Sequence, residues 1–369
     1  MKPHRLPLFF IISVGLLIAF GLGTFYAASL AEKYTLGHYG SFRSYFTKTL
    51  LLLGVSVAAG LVLQFLDHRL LRVLTLPIYA VQTVLLVLVL LVGQGMYGSK
   101  RWIPITSSFG LQPSELHKLA IILIVAFVLT LPQERFTTSV KVLLTALAVA
   151  PSVLLVAKEP DLGSSMVLLG VSVLMLVHFR LTNRQLLVLG LVLLVAAGGI
   201  WLNLKPYQRT RIETFLNPQA DPLGDGYNVI QSIVATGSGG LWGRGIKGST
   251  QAPLSFVPVQ YADFVFSLVG ELFGFAGSAA LVLLFIMLLW STFLVFRTLK
   301  DEFARLIVIG IGSMWFIQAA VNMGMTIGLS PVTGIPLPFI SYGGSSLLAH
   351  VLAASLVVVL YRTREELRF

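Results

Sequence analysis

Four groups of residues in this sequence combine chemistry-bearing side chains with chain-breaking ones. The first, Gln112-Pro113-Ser114-Glu115-Leu116-His117-Lys118, opens an apolar run. Pro113 and Ser114 suit the start of a helix. Glu115 and Lys118, three apart, share a helix face and can pair; a plain structural ion pair is the simpler alternative. The second, Lys158-Glu159-Pro160-Asp161-Leu162-Gly163, is a tight turn between two apolar runs, where Asp161 can cap the following helix or face a ligand. The third places Asp263 among aromatic residues in Val259-Gln260-Tyr261-Ala262-Asp263-Phe264-Val265-Phe266, with Glu271 two turns further on. A helix-capping carboxylate would not need that aromatic company. The fourth runs from Ser330 to Phe339 with Pro331, Pro336 and Pro338, then into Ile340-Ser341-Tyr342-Gly343-Gly344-Ser345-Ser346. Three prolines so close cannot continue a helix. Non-helical backbone at membrane depth must be buried in protein or line a wet cavity, and Gly343-Gly344 allows close approach of backbone or ligand. Arg101-Trp102 adds a cation and an amphipathic ring.

A wet cavity with the carboxylates Asp263, Asp161 and Glu115, the cations Lys118 and Arg101, and the polar side chains of Ser341 and Tyr342 suits an anionic, lipid-linked substrate. Cations hold phosphates, and a carboxylate can act as general base on a sugar hydroxyl. Paired acids can also hold Mg²⁺ or Mn²⁺ through oxygen, but the spacing offers no dedicated ligand set. Walker, HExxH and GxSxG patterns do not occur, so the sequence gives no support to ATP hydrolysis, zinc proteolysis or serine esterase chemistry. Two classes remain open on the residues alone, an enzyme acting on a membrane-borne substrate and a transporter with a polar site within its span.

The elements that must position these residues are membrane helices. Of 369 residues, 56% are hydrophobic and 11% charged, with mean hydropathy +0.88. Soluble domains carry roughly 25% charged residues. Apolar runs such as Leu6–Leu30 and Leu186–Leu204 are long enough to cross a hydrocarbon core of ~30 Å. The spans fall at about 7–30, 47–66, 72–93, 115–131, 139–157, 162–179, 185–204, 262–296, 304–328 and 342–361, giving an all-α, polytopic protein of about ten transmembrane helices and one domain over 1–369. Leu6–Leu30 reads as a first mature helix rather than a signal peptide, being too long for the apolar core of one. With both termini cytoplasmic, the inner segments 1–6, 67–72, 132–141, 180–184, 297–305 and 362–369 hold more than half of the 26 Lys and Arg, as the positive-inside rule requires. All four groups then fall on the outer side, together with a long loop at about 205–261 between the seventh and eighth spans. Long ordered loops are usually functional. The net charge of +11 belongs to topology and anionic lipid, not nucleic acid, since no basic patch is interleaved with aromatics. Absence of cysteine excludes disulfides, thiol nucleophiles and thiolate metal sites.

Taken together, RWIPITSSFGLQPSELHKLA, KEPDLGSS, NPQADPLGDGYNVIQS, QYADFVFSLVGELFGF and PVTGIPLPFISYGGSS resemble the SEDS family of shape, elongation, division and sporulation proteins, from about residue 94 to the C-terminus. The stretch PVTGIPLPF is closer to the elongation branch than to the division branch. The resemblance implies a peptidoglycan glycosyltransferase of the bacterial cytoplasmic membrane. Such an enzyme polymerises lipid II, releases undecaprenyl diphosphate, and works beside a class B penicillin-binding protein that crosslinks the product. A lipid II translocase and a non-catalytic scaffold for the penicillin-binding protein are the alternatives. The resemblance also assigns Asp263 to the family's essential aspartate, Asp161 to the acid of its Pro-Asp-Leu-Gly turn, and Glu115 and Lys118 to its Gln-Pro-Ser-Glu-x-x-Lys pair. Ala262 departs from the usual Thr, and Leu272 stands where relatives often carry a second acid after Glu271.

Overall fold

A long apolar segment in lipid must satisfy its backbone from within, and a helix does so with no outside partner. The computed structural model describes residues 6–65, 67–96, 99–106, 109–179, 181–202, 206–224 and 226–363. Its long helices are α1 (Leu6–Leu36), α2 (Ser41–Leu63), α3 (His68–Val92), α4 (Pro113–Leu129), α5 (Thr138–Lys158), α6 (Leu162–His178) and α7 (Asn183–Leu202). After the shorter α8 (Pro206–Leu216), α9 (Tyr227–Ser238) and α10 (Gly245–Gly248) come α11 (Val265–Thr298), α12 (Glu302–Thr326) and α13 (Gly344–Arg362). Among the described residues, seven helices are long and apolar enough to cross a membrane: α1, α2, α3, α5, α11, α12 and α13. α4, α6 and α7 stand where the remaining spans are expected. The cationic segments at the two chain ends lie partly outside the described residues, as does Arg180.

α4 is the axis of the bundle. Nearly every one of its residues is buried, and it packs against α3, α5, α6, α12 and α13. α1 and α2 pack on each other and on α11 and α13 respectively. Because the long helices alternate in direction, the starts of α4, α6, α11 and α13 and the ends of α5 and α12 gather at one end, called the head below. The ends of α2 and α13 meet at the other, where Gln64 Nε2 donates to Ser355 O at 3.2 Å.

Two features depart from the sequence reading. The spans are helical as expected, but the connection between α3 and α4 is a small antiparallel sheet, β1 (Gln94–Met96), β2 (Ser99–Thr106) and β3 (Phe109–Leu111), in that order. Alternation in so short a stretch was masked by its glycines and by the motif that follows. The segment at about 205–261 is not one open loop either, since it folds into α8, α9 and α10, with α9 packed on α11 and α12. α11 is broken at Gly274, whose φ of 66° lies in the left-handed region. The donors freed by the break are taken up by this segment, as Phe275 N donates to Gly240 O at 2.8 Å and Ala276 N to Leu241 O at 3.0 Å. A Cβ on Gly274 would lie 2.3 Å from Gly243 N.

Gly274→Ala therefore carries both backbone strain and a collision with main chain that cannot swing aside. It is expected to lower the apparent melting temperature of the detergent-solubilised protein. Gly23→Ala, within α1 and facing open space, should leave it unchanged or raise it slightly.

Candidate active site

At the head, two stretches of irregular chain meet, the turn before α11 and the proline-rich segment before α13. Asp263 sits on the first. Ala262 N and Asp263 N both donate to Val259 O, at 3.0 and 3.1 Å, closing a single turn over residues 259–263. Val259 itself has φ of 54°, a strained conformation for a β-branched residue. The second stretch is clipped to the first by three side chains or amides. Asn322 of α12 donates through Nδ2 to Asp263 O at 2.8 Å and to Ile335 O at 2.7 Å. Ser341 Oγ donates to Ala262 O at 2.6 Å and accepts from Leu337 N at 2.8 Å. Tyr342 N donates to Tyr261 O at 2.9 Å. Gly334, with φ of 69°, brings its backbone beside the Asp263 carboxylate, where a Cβ would lie 3.5 Å from Oδ2.

Asp263 is partly exposed. Its carboxylate does not cap α11, whose capping position is Phe264, and it holds no hydrogen bond among the described residues. Burial pushes this carboxyl up to about 6, opposed by the positive charges of Arg101 and Arg211 and reinforced by the negative charge of Asp161. Asp161 does cap α6, through Ser164 N to Oδ1 at 3.0 Å, and its other oxygen takes Gln112 Nε2 at 3.2 Å. Gly163 in the same turn lets the proline-rich segment come close: a Cβ there would lie 2.6 Å from Thr333 O. Arg101, on β2, donates from Nε to Glu159 O at 3.2 Å and from Nη2 to Pro160 O. The guanidinium is thus held by carbonyls, and among the described residues it has no carboxylate contact.

Of the residues singled out from sequence, Asp263, Asp161 and Arg101 come together. Glu115 and Lys118 form the expected pair, Lys118 Nζ to Glu115 Oε1 at 2.6 Å. Both are buried inside the bundle, so the ammonium is occupied and lies among protein side chains. Ser341 is a backbone clip, and Tyr342 belongs to a cluster of three tyrosine rings, with centroids 4.9 Å from Tyr45 and 5.7 Å from Tyr261. Burial raises the Tyr342 phenol above its usual range. Glu271 does not pair with another acid. It accepts from Thr250 N, Gln251 N and Ala252 N at 2.7, 2.8 and 3.2 Å, anchoring the chain that leads to Asp263.

Sequence reasoning missed four contributors. Arg211 of α8 acts on Asp263 but stood unmarked in the long loop. Asn322 looked like an ordinary polar residue in a span, although an intramembrane amide is itself a signal. Tyr45, far off in α2, gave no sign. Glu159 is fully buried with neither carboxylate oxygen hydrogen-bonded, and burial with the adjacent Asp161 charge raises it to about 8 against the pull of Arg101. Among the described residues no three His, Cys, Asp or Glu side chains form a metal cage.

The fold and this head define a polytopic helical membrane protein with a partly exposed acid under the charges of two arginines. The cell cycle protein family of FtsW, RodA and SpoVE matches residues 7–366, and the chain belongs to that family. It is 34% identical over 365 residues to the probable peptidoglycan glycosyltransferase FtsW of Trichlorobacter lovleyi, covering 97% of this chain and 94% of that one. It is similar to a chain of a peptidoglycan synthase complex solved to examine coordination of polymerisation and crosslinking (TM-score 0.78, 33% identity, 96% and 97% covered). It is also similar to the crystal structure of the rod shape determining protein RodA of Thermus thermophilus (TM-score 0.70, 28% identity, 96% of each chain covered).

The charges around Asp263 act in opposite directions, which gives a two-way test. Arg101→Gln removes a charge that favours ionisation and should shift the Asp263 titration to higher pH. Asp161→Asn removes one that opposes it and should shift the titration to lower pH. Carboxyl ¹³C chemical shifts of labelled aspartate, followed between pH 4 and 9 in detergent, read both.

Proposed function

We propose that the chain is a lipid II-polymerising peptidoglycan glycosyltransferase with Asp263 as its general base. One observation carries this reading. A carboxylate free of hydrogen bonds among the described residues is poised near 6 between two arginines and an aspartate, so it is ionised and still basic at neutral pH, where a base works best. Similarity to a probable peptidoglycan glycosyltransferase and to a chain of a peptidoglycan synthase complex supports it.

In the proposed reaction Asp263 takes the proton of the acceptor GlcNAc 4-hydroxyl as its oxygen attacks the anomeric carbon of a lipid-linked donor. The bond from that carbon to undecaprenyl diphosphate breaks, and attack from the opposite face turns an α linkage into a β(1→4) one. Arg101 and Arg211 face the negative charge growing on the diphosphate, where fixed cations lower the barrier most. Lys118 reaches that charge only by leaving Glu115, so its part is to fix the start of α4. A Mg²⁺ or Mn²⁺ ion fits only as a guest of the substrate. Asp263 and Asp161 would be the residues to hold it, and it would supply charge neutralisation for the leaving diphosphate.

In this reading the head faces the outside of the bacterial cytoplasmic membrane, with both termini inside. The elongation-like stretch Pro331–Phe339 and the likeness to RodA point to rod-shape synthesis, with a class B penicillin-binding protein as the crosslinking partner. The scaffold alternative leaves the acid at the head without work to do, and the translocase alternative is separated by the assay below.

Asp263→Asn keeps the shape and loses the base. Purified protein given lipid II in detergent, where translocation has no meaning, should form glycan polymer, and the variant should do so about 10²–10⁴-fold more slowly with an unchanged melting temperature. The wild-type rate should rise with pH through about 6, since the ionised form is the active one. A variant as fast as wild type removes Asp263 from the reaction.

A further inference from the structure

Phe339 has φ of 64°, a left-handed backbone that costs little only in glycine. Glycines stand close by at 334, 343 and 344, yet this position carries a large aromatic residue, and a buried one. Strain of this kind persists only where the surroundings hold it in place.

The holding is done by rings. The centroid of the Phe339 ring lies 5.6 Å from that of Trp315 on α12 and 5.4 Å from that of His350 on α13. Trp315 is backed in turn by Phe10 of α1, at 6.1 Å. Such ring pairs add to what burial alone contributes. Trp315 and His350 are themselves buried and joined, the indole Nε1 donating to His350 Nδ1 at 3.3 Å. An indole nitrogen can only donate, so His350 is the acceptor here, and the bond fixes both rings beside Phe339. α1 also approaches the turn itself: a Cβ on Gly21 would lie 3.0 Å from Ile340 Cα and 3.1 Å from Phe339 O.

What the strained residue does is turn the chain. Ile340 N and Ser341 N both donate to Leu337 O, at 3.2 and 3.0 Å, so Phe339 sits inside one closed turn. From that turn Ser341 Oγ reaches Ala262 O and Tyr342 N reaches Tyr261 O, the two carbonyls that immediately precede Asp263. A right-handed backbone at 339 would send residues 340–342 in another direction and release both bonds. We propose that Phe339 and His350 are positioning residues for Asp263. The Phe339 ring, seated on Trp315 and His350, keeps residues 337–341 in the turn that holds the acid's own turn in place. The assignment deepens the general-base reading and rests on it for its effect on rate.

Glycine and alanine at 339 separate this role from plain packing. Both remove the ring, but glycine takes the left-handed conformation freely and alanine does not. In purified full-length protein given lipid II, Phe339→Ala should lower kcat about tenfold with KM unchanged, as misplacement of a reacting group does. Phe339→Gly should recover a large part of that loss, whereas a residue that only fills space would do no better as glycine than as alanine. His350→Leu leaves the indole N–H without its acceptor and should lower kcat. His350→Asn, which keeps an acceptor near the place of Nδ1, should retain most of the wild-type rate. Adding His350→Leu to Phe339→Gly should cost nothing further, since the ring it supports is gone. Hydrogen–deuterium exchange over residues 337–343 reads the same turn without any reaction, and should be faster in Phe339→Ala than in Phe339→Gly. Equal kcat in the two folded 339 variants overturns the assignment, whatever the exchange, and leaves the polymerase reading standing. So does a His350→Leu protein as fast as wild type. The expected exchange pattern with no polymer from any protein, wild type included, sinks the polymerase reading and leaves the seated turn.

Discussion

Irregular backbone inside a membrane protein has no water to fall back on, and the head of this molecule is built around that constraint. Residues 239–264 and 327–343 are largely non-helical, and each unpaired N–H or C=O in them would cost several kcal/mol in an apolar medium. They solve the problem by pairing with each other and with the helices. Asn322 spans both stretches with one amide, Ser341 and Tyr342 bind the carbonyls of Ala262 and Tyr261, and Glu271 gathers three successive N–H groups. The position of Asp263 is a by-product of that mutual satisfaction. Among the described residues its carboxylate holds no hydrogen bond, because the surrounding backbone is served by other groups.

Close approach is the second half of the solution. Backbone can pair with backbone across helices only where side chains do not intervene, and Gly163, Gly243 and Gly274 each stand where a Cβ would meet main-chain atoms. Buried charge is handled in the same economical way. Glu115 and Lys118 neutralise each other within one helix, so α4 can run through the centre of the bundle while carrying a carboxylate and an ammonium.

Which parts of this were legible in the sequence follows from range. Helical spans announce themselves through local composition, and the turn at Asp161, the start of α4 at Pro113 and the pairing of Glu115 with Lys118 depend on residues within one helical turn of each other. Asp263 was legible because an acid among aromatics at the edge of an apolar run is costly wherever the chain goes. Ser341 and Tyr342 stand beside the turn that carries Asp263, yet their contacts are to protein, since a serine in a proline-rich stretch reads the same whether it clips backbone or meets substrate. Arg211, Asn322 and Tyr45 act only through contacts with distant segments, and the small sheet at 94–111 depends on pairings between three short strands. Periodicity within any one segment holds none of that.

Arg101 shows why the distant contacts matter most. An arginine beside an aspartate ordinarily forms a two-pronged pair that depresses the acid and removes its basicity. Here the guanidinium is held by the carbonyls of Glu159 and Pro160 at the end of α5, so it tempers the Asp263 carboxyl by charge alone, without binding it. Burial pushes that acid upward, two arginines pull it down, and the balance at about 6 leaves a group that is ionised at neutral pH yet still able to take a proton. A direct Arg101–Asp263 pair would be the more stable arrangement and the poorer base. The turn at 158–163 holds two of the guanidinium nitrogens instead, Nε on Glu159 O and Nη2 on Pro160 O, so this turn, which carries no reacting atom in the proposed chemistry, sets where the Arg101 charge stands.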